Sequence, residues 1–281
     1  MIPLSVKGLC KAYPAFCLEN ISFELEPGKI TGFIGRNGAG KTTTLKSLFN
    51  FVHPDSGTVE FFGLNFSENE REIKSRVGYV SGAFEFYGKK RLRTITAVTK
   101  PFYPRWDEAT YQNCLRRFAL DESKTPEQLS AGMKVKYALT LALSHGAELL
   151  VLDEPTSGLD PVSREDLLEL FLELCDEGKT ILFSTHITSD LDKCADHILY
   201  IQDGHIAADA PMEEYVNDYR AVYFEEAVPD LGDEKVLIGA RRGKHGYTAL
   251  VRREDAGRLR LPCRETDLET IMVHLEKEAD Q

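Results

Sequence analysis

Apolar residues along the chain form short runs and helical stripes that follow one another. Residues 29–34, with apolar Ile30, Phe33 and Ile34, predict a buried strand. The continuous apolar run at residues 149–152 predicts another, which has the form of a strand inside a parallel sheet. Apolar residues spaced three or four apart come next, within residues 42–51 and 161–177, and predict amphipathic helices. This succession of strands and helices predicts an α/β fold built around a mixed sheet.

Three stretches depart from this succession. Apolar and polar residues alternate within residues 2–34, which predicts short antiparallel strands. The pattern from about residue 84 to 146 is helical and predicts a helical subdomain. Residues 211–281 contain strand-like runs, charged turns and a closing helix, so we expect a small accessory α+β extension after a main domain over residues 1–210.

Composition narrows the possible functions. The chain has 281 residues and a net charge of −11, which disfavours a generic nucleic-acid binder. Its six cysteines contain no Cys-x-x-Cys pair, which indicates reduced thiols and neither a disulfide framework nor a zinc site. No apolar run approaches the roughly 20 residues that span a bilayer, so we expect any membrane role to come through a partner. A local basic run is typical of a solvated face, or alternatively of a docking surface: Lys89, Lys90, Arg91 and Arg93.

The strongest chemical signal is the stretch Gly-Arg-Asn-Gly-Ala-Gly-Lys-Thr at residues 35–42. It has the form G-x-x-x-x-G-K-[ST] and lies between a predicted strand and a predicted helix, as a phosphate-binding loop requires. Its glycines let backbone N–H groups face phosphates at the positive end of the helix. We expect Lys41 to reach the β- and γ-phosphates and the Thr42 hydroxyl to bind Mg²⁺. A chance glycine turn is the weaker alternative.

Polar residues at later strand and helix ends add to this signal. Asp153 and Glu154 end a buried strand, where Asp153 could hold Mg²⁺ and Glu154 could activate water, although two such acids alone could be a solvated turn. His186 follows another predicted strand at the same edge and could donate a hydrogen bond to a γ-phosphate. Ser130 and Asp160 have the form of helix N-caps, and the helix after Ser130 either binds a second anion or simply begins there.

These motifs together resemble the ATP-binding subunit of an ABC transporter over about residues 2–210. The resemblance implies a P-loop NTPase fold of the ABC type, with a mixed sheet, an antiparallel β-subdomain and a helical subdomain. It implies that Lys41, Glu154 and His186 are catalytic and that Thr42 and Asp153 bind Mg²⁺. The residues that it implies for ATP are Tyr13, Gly35, Arg36, Asn37, Gly38, Ala39, Gly40, Lys41, Thr42, Thr43, Ser130, Gly132 and Asp160. Tyr13 alone would be a weak signal, since a core or surface tyrosine is commoner.

Two motifs depart from the family pattern. Residues 129–133 read Leu-Ser-Ala-Gly-Met where the family signature is Leu-Ser-Gly-Gly-Gln, so Ser130 and Gly132 remain. The family usually has a glutamine after the strand Val-Gly-Tyr-Val, and here that position is Gly82. An ordered water or Glu85 could take the place of the missing glutamine side chain. Alternatively, the branch of the family that this chain resembles does not use the glutamine contact.

The resemblance also implies a mechanism and partners. Two subunits, as a homodimer or a heterodimer, would meet head to tail and enclose two ATP molecules with Mg²⁺. The branch implied is a bacterial one, in which the ATPase powers export of an antibiotic, peptide or other small molecule through a separate integral-membrane permease. Such a subunit would be cytoplasmic and peripheral on the inner face of the cell membrane, with no nucleic-acid partner.

Two other functions remain as alternatives. A non-transport ABC ATPase could act on a cytosolic macromolecular assembly, although the 281 residues contain neither two ATPase units nor long coiled coils or zinc insertions. A regulatory subunit could bind ATP without hydrolysing it, although Lys41, Asp153, Glu154 and His186 argue against that function.

Overall fold

A computed structural model describes residues 1–81, 87–225, 236–244, 246–259 and 261–279. The chain divides into two compact units, of which the first comprises Met1–His186 and Leu199–Asp209 and the second Ile187–Ile198 and Ala210–Gln281. The domain boundary at residue 210 and the limits of the helical subdomain stay predictions. Gly82 and Glu85 lie outside the described residues, and so does Lys235, where a strand was expected to begin.

The helices and strands follow one another in a long series. The elements up to residue 144 are β1 (Leu4–Tyr13), β2 (Phe16–Glu24), β3 (Ile30–Ile34), α1 (Lys41–Leu48), β4 (Ser56–Phe61), β5 (Leu64–Asn65), α2 (Phe66–Arg76), β6 (Val77–Ser81), α3 (Leu92–Thr99), α4 (Glu108–Arg117) and α5 (Ala131–Ser144). The later elements are β7 (Leu149–Asp153), α6 (Pro161–Asp176), β8 (Thr180–Thr185), α7 (Thr188–Cys194), β9 (His197–Gln202), β10 (His205–Pro211), α8 (Met212–Asn217), β11 (Tyr219–Phe224), β12 (Ile238–Gly243), β13 (Gly246–Arg252), β14 (Cys263–Arg264) and α9 (Leu268–Ala279). The predicted α/β fold is confirmed.

A six-stranded sheet in the order β10-β9-β3-β8-β7-β6 contains the strands that end at the phosphate loop and at the acidic pair. The pairs β3–β8, β8–β7 and β7–β6 are parallel, and every residue of β3, β7 and β8 is buried. The carboxyl ends of these strands therefore meet at one edge. The expectation of antiparallel strands throughout residues 2–34 is wrong for β3, because helices on the way to β8 return the chain in the same direction.

A second sheet, in the order β2-β1-β4-β5, is antiparallel throughout. Side chains from this sheet, including Leu9 and Phe61, share one apolar cluster with Leu45 and Leu48 of α1 and with Val151 of β7. All five are fully buried. This common core fixes the phosphate-loop helix against both sheets.

Helices α3, α4 and α5 have a separate core with a polar centre. The Thr96 hydroxyl lies 2.8 Å from the Tyr111 hydroxyl and 2.8 Å from the Tyr137 hydroxyl, which also donates to the Leu92 carbonyl at 3.0 Å. Burial raises the pKa of Tyr137 to about 12, so its hydroxyl stays protonated and can donate. The network joins the three helices through buried hydroxyl groups that are all hydrogen-bonded.

The second unit contains a four-stranded sheet in the order β12-β13-β11-β14 and the closing helix α9, where a helix was expected at residues 267–278. Val222, Ala249 and Val251 form the centre of its apolar cluster. His274 on α9 is buried, and its Nδ1 lies 2.7 Å from the Gly239 carbonyl oxygen. Burial lowers the pKa of His274. None of the helices formed by the described residues is long and apolar enough to cross a membrane.

The turn between β9 and β10 gives a test of this packing. Gly204 has φ +80, and a Cβ there would lie 1.8 Å from the Cys17 carbonyl oxygen, whereas Gly178 has φ +86 with no atom within 4 Å. Left-handed strain of about 1 kcal/mol applies to alanine at either position, and overpacking adds about 1–3 kcal/mol at Gly204 alone. Urea denaturation of Gly204→Ala should thus show a clearly larger loss of unfolding free energy than the matched Gly178→Ala. Equal losses of unfolding free energy would contradict the close approach of Gly204 to the Cys17 carbonyl of β2.

Candidate functional site

The phosphate loop joins β3 to α1 and is held by tight packing behind it. Gly40 has φ +116, and a Cβ there would lie 2.5 Å from a Leu18 methyl carbon and 2.9 Å from the Phe16 ring. A Cβ on Gly35 would lie 2.3 Å from the Ile201 carbonyl oxygen. Glycine is therefore required at both positions by contacts behind the loop, while Asn37 at its tip is exposed.

Lys41, the first residue of α1, is folded back over the loop. Its side chain is 6% exposed, and its Nζ donates to the Gly35 carbonyl at 2.7 Å and to the Arg36 carbonyl at 3.2 Å. The same ammonium lies 3.8 Å from Oε1 of Glu154. These oxygens compensate a buried charge that would otherwise be costly.

Thr42 and Asp153 meet at the carboxyl ends of β3 and β7. The Thr42 hydroxyl donates to Oδ1 of Asp153 at 3.2 Å, and the Ser184 hydroxyl donates to the same oxygen at 2.8 Å. A hydroxyl beside a carboxylate is a hard oxygen donor pair of the kind that Mg²⁺ uses with phosphates and waters. The described residues contain no cluster of three His, Cys, Asp or Glu side chains that could hold a metal alone.

Glu154 directly follows β7 and adopts a left-handed conformation, with φ +51. Its N–H lies 3.1 Å from both the Ser184 carbonyl and the Ser184 hydroxyl, and these two acceptors hold the strained turn. Its Oε2 lies 2.8 Å from Nδ1 of His186. The carboxylate is therefore placed between the imidazole of His186 and the ammonium of Lys41.

These residues surround one cavity of about 400 Å³. The described residues that line it are Phe16, Asn37, Gly38, Gly40, Lys41, Thr42, Thr43, Glu154, Ser157 and His186. The structure thus brings most of the expected site together. Sequence reasoning missed Phe16 and Ser184 as site residues; the aromatic Phe16, three residues after Tyr13, was the one available signal.

Eight expected residues are not among the described residues that line the cavity: Tyr13, Gly35, Arg36, Ala39, Ser130, Gly132, Asp153 and Asp160. Tyr13 is 43% exposed at the end of β1. Ser130 caps α5 by accepting from the Met133 N–H at 3.2 Å, and Asp160 caps α6 by accepting from the Val162 and Ser163 N–H groups at 3.1 Å. The two predicted N-caps are confirmed, whereas nucleotide contacts of Tyr13, Ser130, Gly132 and Asp160 stay predictions.

Comparison with known proteins identifies the family. Residues 18–157 match the family model described as ABC transporter. The chain is 32% identical to the bacitracin transport ATP-binding protein BcrA of Bacillus licheniformis, over 82% of this chain and 76% of that protein. It is 36% identical to the Nod factor export ATP-binding protein I of Burkholderia pseudomallei, over 74% of this chain and 71% of that protein.

Solved structures agree with this family. The structure of an ATP-binding subunit of an ABC transporter superposes with a TM-score of 0.69 at 29% identity, over 76% of this chain and 91% of that chain. A dimeric ATP-binding cassette bound to ADP and Pi has the same fold, with a TM-score of 0.65 at 21% identity over 74% of this chain and 98% of that chain. The chain belongs to the family of ABC transporter ATP-binding proteins. It is an ATP-binding and ATP-hydrolysing transporter subunit.

Ser184 gives a test of how the site is held. Ser184→Ala removes a donor to Asp153 and an acceptor for the Glu154 N–H, and unsatisfied buried groups cost about 1–3 kcal/mol. We expect a loss of unfolding free energy in that range and a steady-state ATPase rate lowered at least about tenfold, or about 1.4 kcal/mol of barrier.

The matched control is Ser144→Ala, because Ser144 is equally buried and its hydroxyl donates to a backbone carbonyl within α5, that of Thr140. It should leave the ATPase rate unchanged. If both variants hydrolysed ATP at the parental rate, Ser184 would not position the acidic pair.

Proposed function

We propose that this chain hydrolyses ATP with Mg²⁺ to power export of a small compound through a separate integral-membrane permease. The observation that carries the proposal is the cavity in which Lys41, Thr42 and Glu154 meet His186, with Asp153 hydrogen-bonded to Thr42. Two relatives are named for bacitracin transport and Nod factor export, which supports export of a small compound by this chain. They give no support to the alternative of a non-transport ATPase.

The loop and the first residues of α1 would bind the phosphates. Backbone N–H groups at the start of α1 provide an anion site, and Lys41 would exchange its bonds to the Gly35 and Arg36 carbonyls for phosphate oxygens. Thr42 and Asp153 would hold Mg²⁺. When bound, Mg²⁺ would neutralise charge that develops on the β- and γ-phosphates.

Glu154 would act as the general base. Its carboxylate opens into the same cavity as the loop, so it can orient a water beside a γ-phosphate and accept its proton. His186 fixes one carboxylate oxygen at 2.8 Å and would contact the γ-phosphate through its imidazole. This division of roles requires both side chains to stay on one side of the cavity.

A second ATPase subunit would complete the site. Ser130 is exposed at the N-terminus of α5 and Asp160 is exposed where it caps α6, so these two residues are available to a nucleotide held by a partner, whereas Gly132 in the first turn of α5 is buried. A Cβ on Gly132 would lie 3.6 Å from side-chain atoms of Leu159 and Ser163, so the start of α5 lies beside the start of α6. We propose a head-to-tail pair of identical or related subunits on this basis.

An exposed apolar surface supports the membrane partner. Phe51 is 58% exposed and lines a second cavity of about 340 Å³ with Tyr79 and Tyr103, and Phe102, the chain neighbour of Tyr103, is 72% exposed. Large exposed aromatic groups of this kind mark protein interaction sites. The basic run expected to be a solvated face or a docking surface is also exposed: Lys89, Lys90, Arg91 and Arg93. Docking here would place the chain in the cytoplasm, peripheral on the inner face of the cell membrane.

The ATPase mechanism is tested by Glu154→Gln, with Lys41→Ala as its comparison. Removing a general base typically costs about 10²–10⁴ in rate, so Glu154→Gln should bind ATP with near-parental affinity and hydrolyse it that much more slowly. Its ATP-bound dimer should persist in gel filtration with ATP and Mg²⁺. Lys41→Ala should instead lose affinity and turnover together. A Glu154→Gln protein that turned over ATP at the parental rate would exclude Glu154 as the base.

The docking surface is tested by sedimentation with inverted membrane vesicles from the source cells. Phe102→Asp should sharply lower the fraction of purified protein that sediments with the vesicles, because a charge at the apolar contact is not compensated. Leu172→Asp is the matched control, since Leu172 is an exposed apolar residue on α6 and should sediment as the parental protein does. Parental binding by Phe102→Asp would show that the partner docks elsewhere.

A further inference from the structure

One segment of the chain belongs to the second unit although its neighbours in sequence, on both sides, belong to the first. This segment, Ile187–Ile198, contains α7 and groups with residues 210–281. The chain before it ends at His186, which contacts Glu154 in the phosphate cavity. The chain after it continues along β9 in the six-stranded sheet. The placement of α7 therefore bears directly on the residue that precedes it, His186.

Contacts within the second unit hold this segment in place. Helix α7 packs against α9, and the Asp192 carboxylate on α7 accepts a hydrogen bond from the N–H of Leu268, the first residue of α9. An N–H in the first turn of a helix has no partner within that helix, so Asp192 caps α9 from a different part of the chain. Beyond α7, the Met212 N–H donates to the Asp196 carbonyl at 2.9 Å.

The two ends of the segment differ in how easily they can move. At the far end, β9 lies between β10 and β3, and the residues Ile198, Leu199 and Ile201 are fully buried. At the near end, the His186 side chain is 44% exposed and lies just past the last residue of β8. A paired and buried strand resists displacement, so a small shift of α7 is taken up mainly at His186.

We propose that Asp192 is a positioning residue for ATP hydrolysis, which acts through α7 on His186. This inference rests on the proposed function, because it assumes that His186 fixes Glu154 and contacts the γ-phosphate. Helix α7 spans about 6 Å from Thr188 to Asp192, at a rise of about 1.5 Å per residue, and one helical turn moves as a unit. While Asp192 joins α7 to α9, the imidazole stays 2.8 Å from the Glu154 carboxylate. Without that bond the imidazole shifts, and misplacement of about 1 Å can lower a rate strongly.

The first test is Asp192→Ala in steady-state ATPase assays on the full chain. Alanine leaves the Leu268 N–H without its acceptor, so kcat should fall at least about fivefold. KM for ATP should stay within about twofold, because the phosphate loop is unchanged. Asp192→Asn keeps an oxygen acceptor for the same N–H and should restore kcat to within about twofold of the parental value. Asp192 is exposed, so neither substitution leaves a cavity.

The matched control is Asp267→Ala. Asp267 accepts from the Thr270 N–H at 2.7 Å, so it caps the same end of α9 but does not lie on α7. Loss of either cap should lower the melting temperature to a similar extent. Only Asp192→Ala should lower kcat, since Asp267 does not join α9 to the segment that follows His186.

A double-mutant cycle shows whether Asp192 acts through His186. His186→Ala alone should lower kcat at least about tenfold. In the His186→Ala background, Asp192→Ala should change kcat by less than about twofold, because residues that act through one another are non-additive whereas independent sites add. NMR of histidine-labelled protein gives a measurement without turnover. The His186 imidazole signal, assigned by its loss in His186→Ala, should shift in Asp192→Ala and stay in place in Asp267→Ala.

The outcomes separate this inference from the proposed function. A parental kcat in Asp192→Ala, an equal fall in kcat in Asp267→Ala, or a fall that persists undiminished in the His186→Ala background would overturn the role of Asp192. An unshifted His186 signal in Asp192→Ala would also overturn it. If His186→Ala itself hydrolysed ATP at the parental rate, the role proposed for His186 would fail, whatever the Asp192 variants did.

Discussion

The register of the buried parallel strands is the constraint on which the site depends. Asp153 lies opposite Ser184, and Ile34 lies opposite Thr185, so three strands end at the same level of one edge. Because side chains alternate along a strand, a shift of one residue would turn Asp153 away from Thr42. The complete burial of these strands makes such a shift costly, since an entire apolar set would have to move. The core therefore sets the distances within the site.

The same edge holds strained backbone and a buried charge. Gly40 and Glu154 both have positive φ. Packing behind the loop holds Gly40, and two acceptors of Ser184 hold the Glu154 N–H. The Lys41 ammonium is compensated by loop carbonyls and by Glu154, which are contacts that a phosphate would compete for. A ligand that provides phosphate oxygens can thus replace existing interactions, and it does not have to pay the full desolvation of a free lysine.

The sequence predicts those parts of the fold that depend on local pattern. The continuous run at 149–152, the glycine loop and the N-caps Ser130 and Asp160 all have short-range signals, and the structure contains the corresponding elements. The roles of Ser184 and Phe16 depend on pairing between distant segments, which apolar periodicity does not encode. For the same reason the grouping of residues 187–198 with the C-terminal segment was not expected. Long-range pairing, rather than helix or strand type, is what sequence reasoning missed.

The departures from the family signature follow from the way α5 is anchored. Met133, at the place of the usual glutamine, is half-buried and packs against the apolar cluster of the helical subdomain around Leu129 and Tyr137. Ala131 is exposed, and alanine has the highest intrinsic helix propensity, so it favours the first turn of this helix. With Ala131 and Met133 in place, Ser130 still caps the helix, and position 132 is still glycine. A hydrophobic anchor at Met133 is therefore compatible with an intact helix N-terminus, because the N–H groups that would meet a phosphate belong to the backbone.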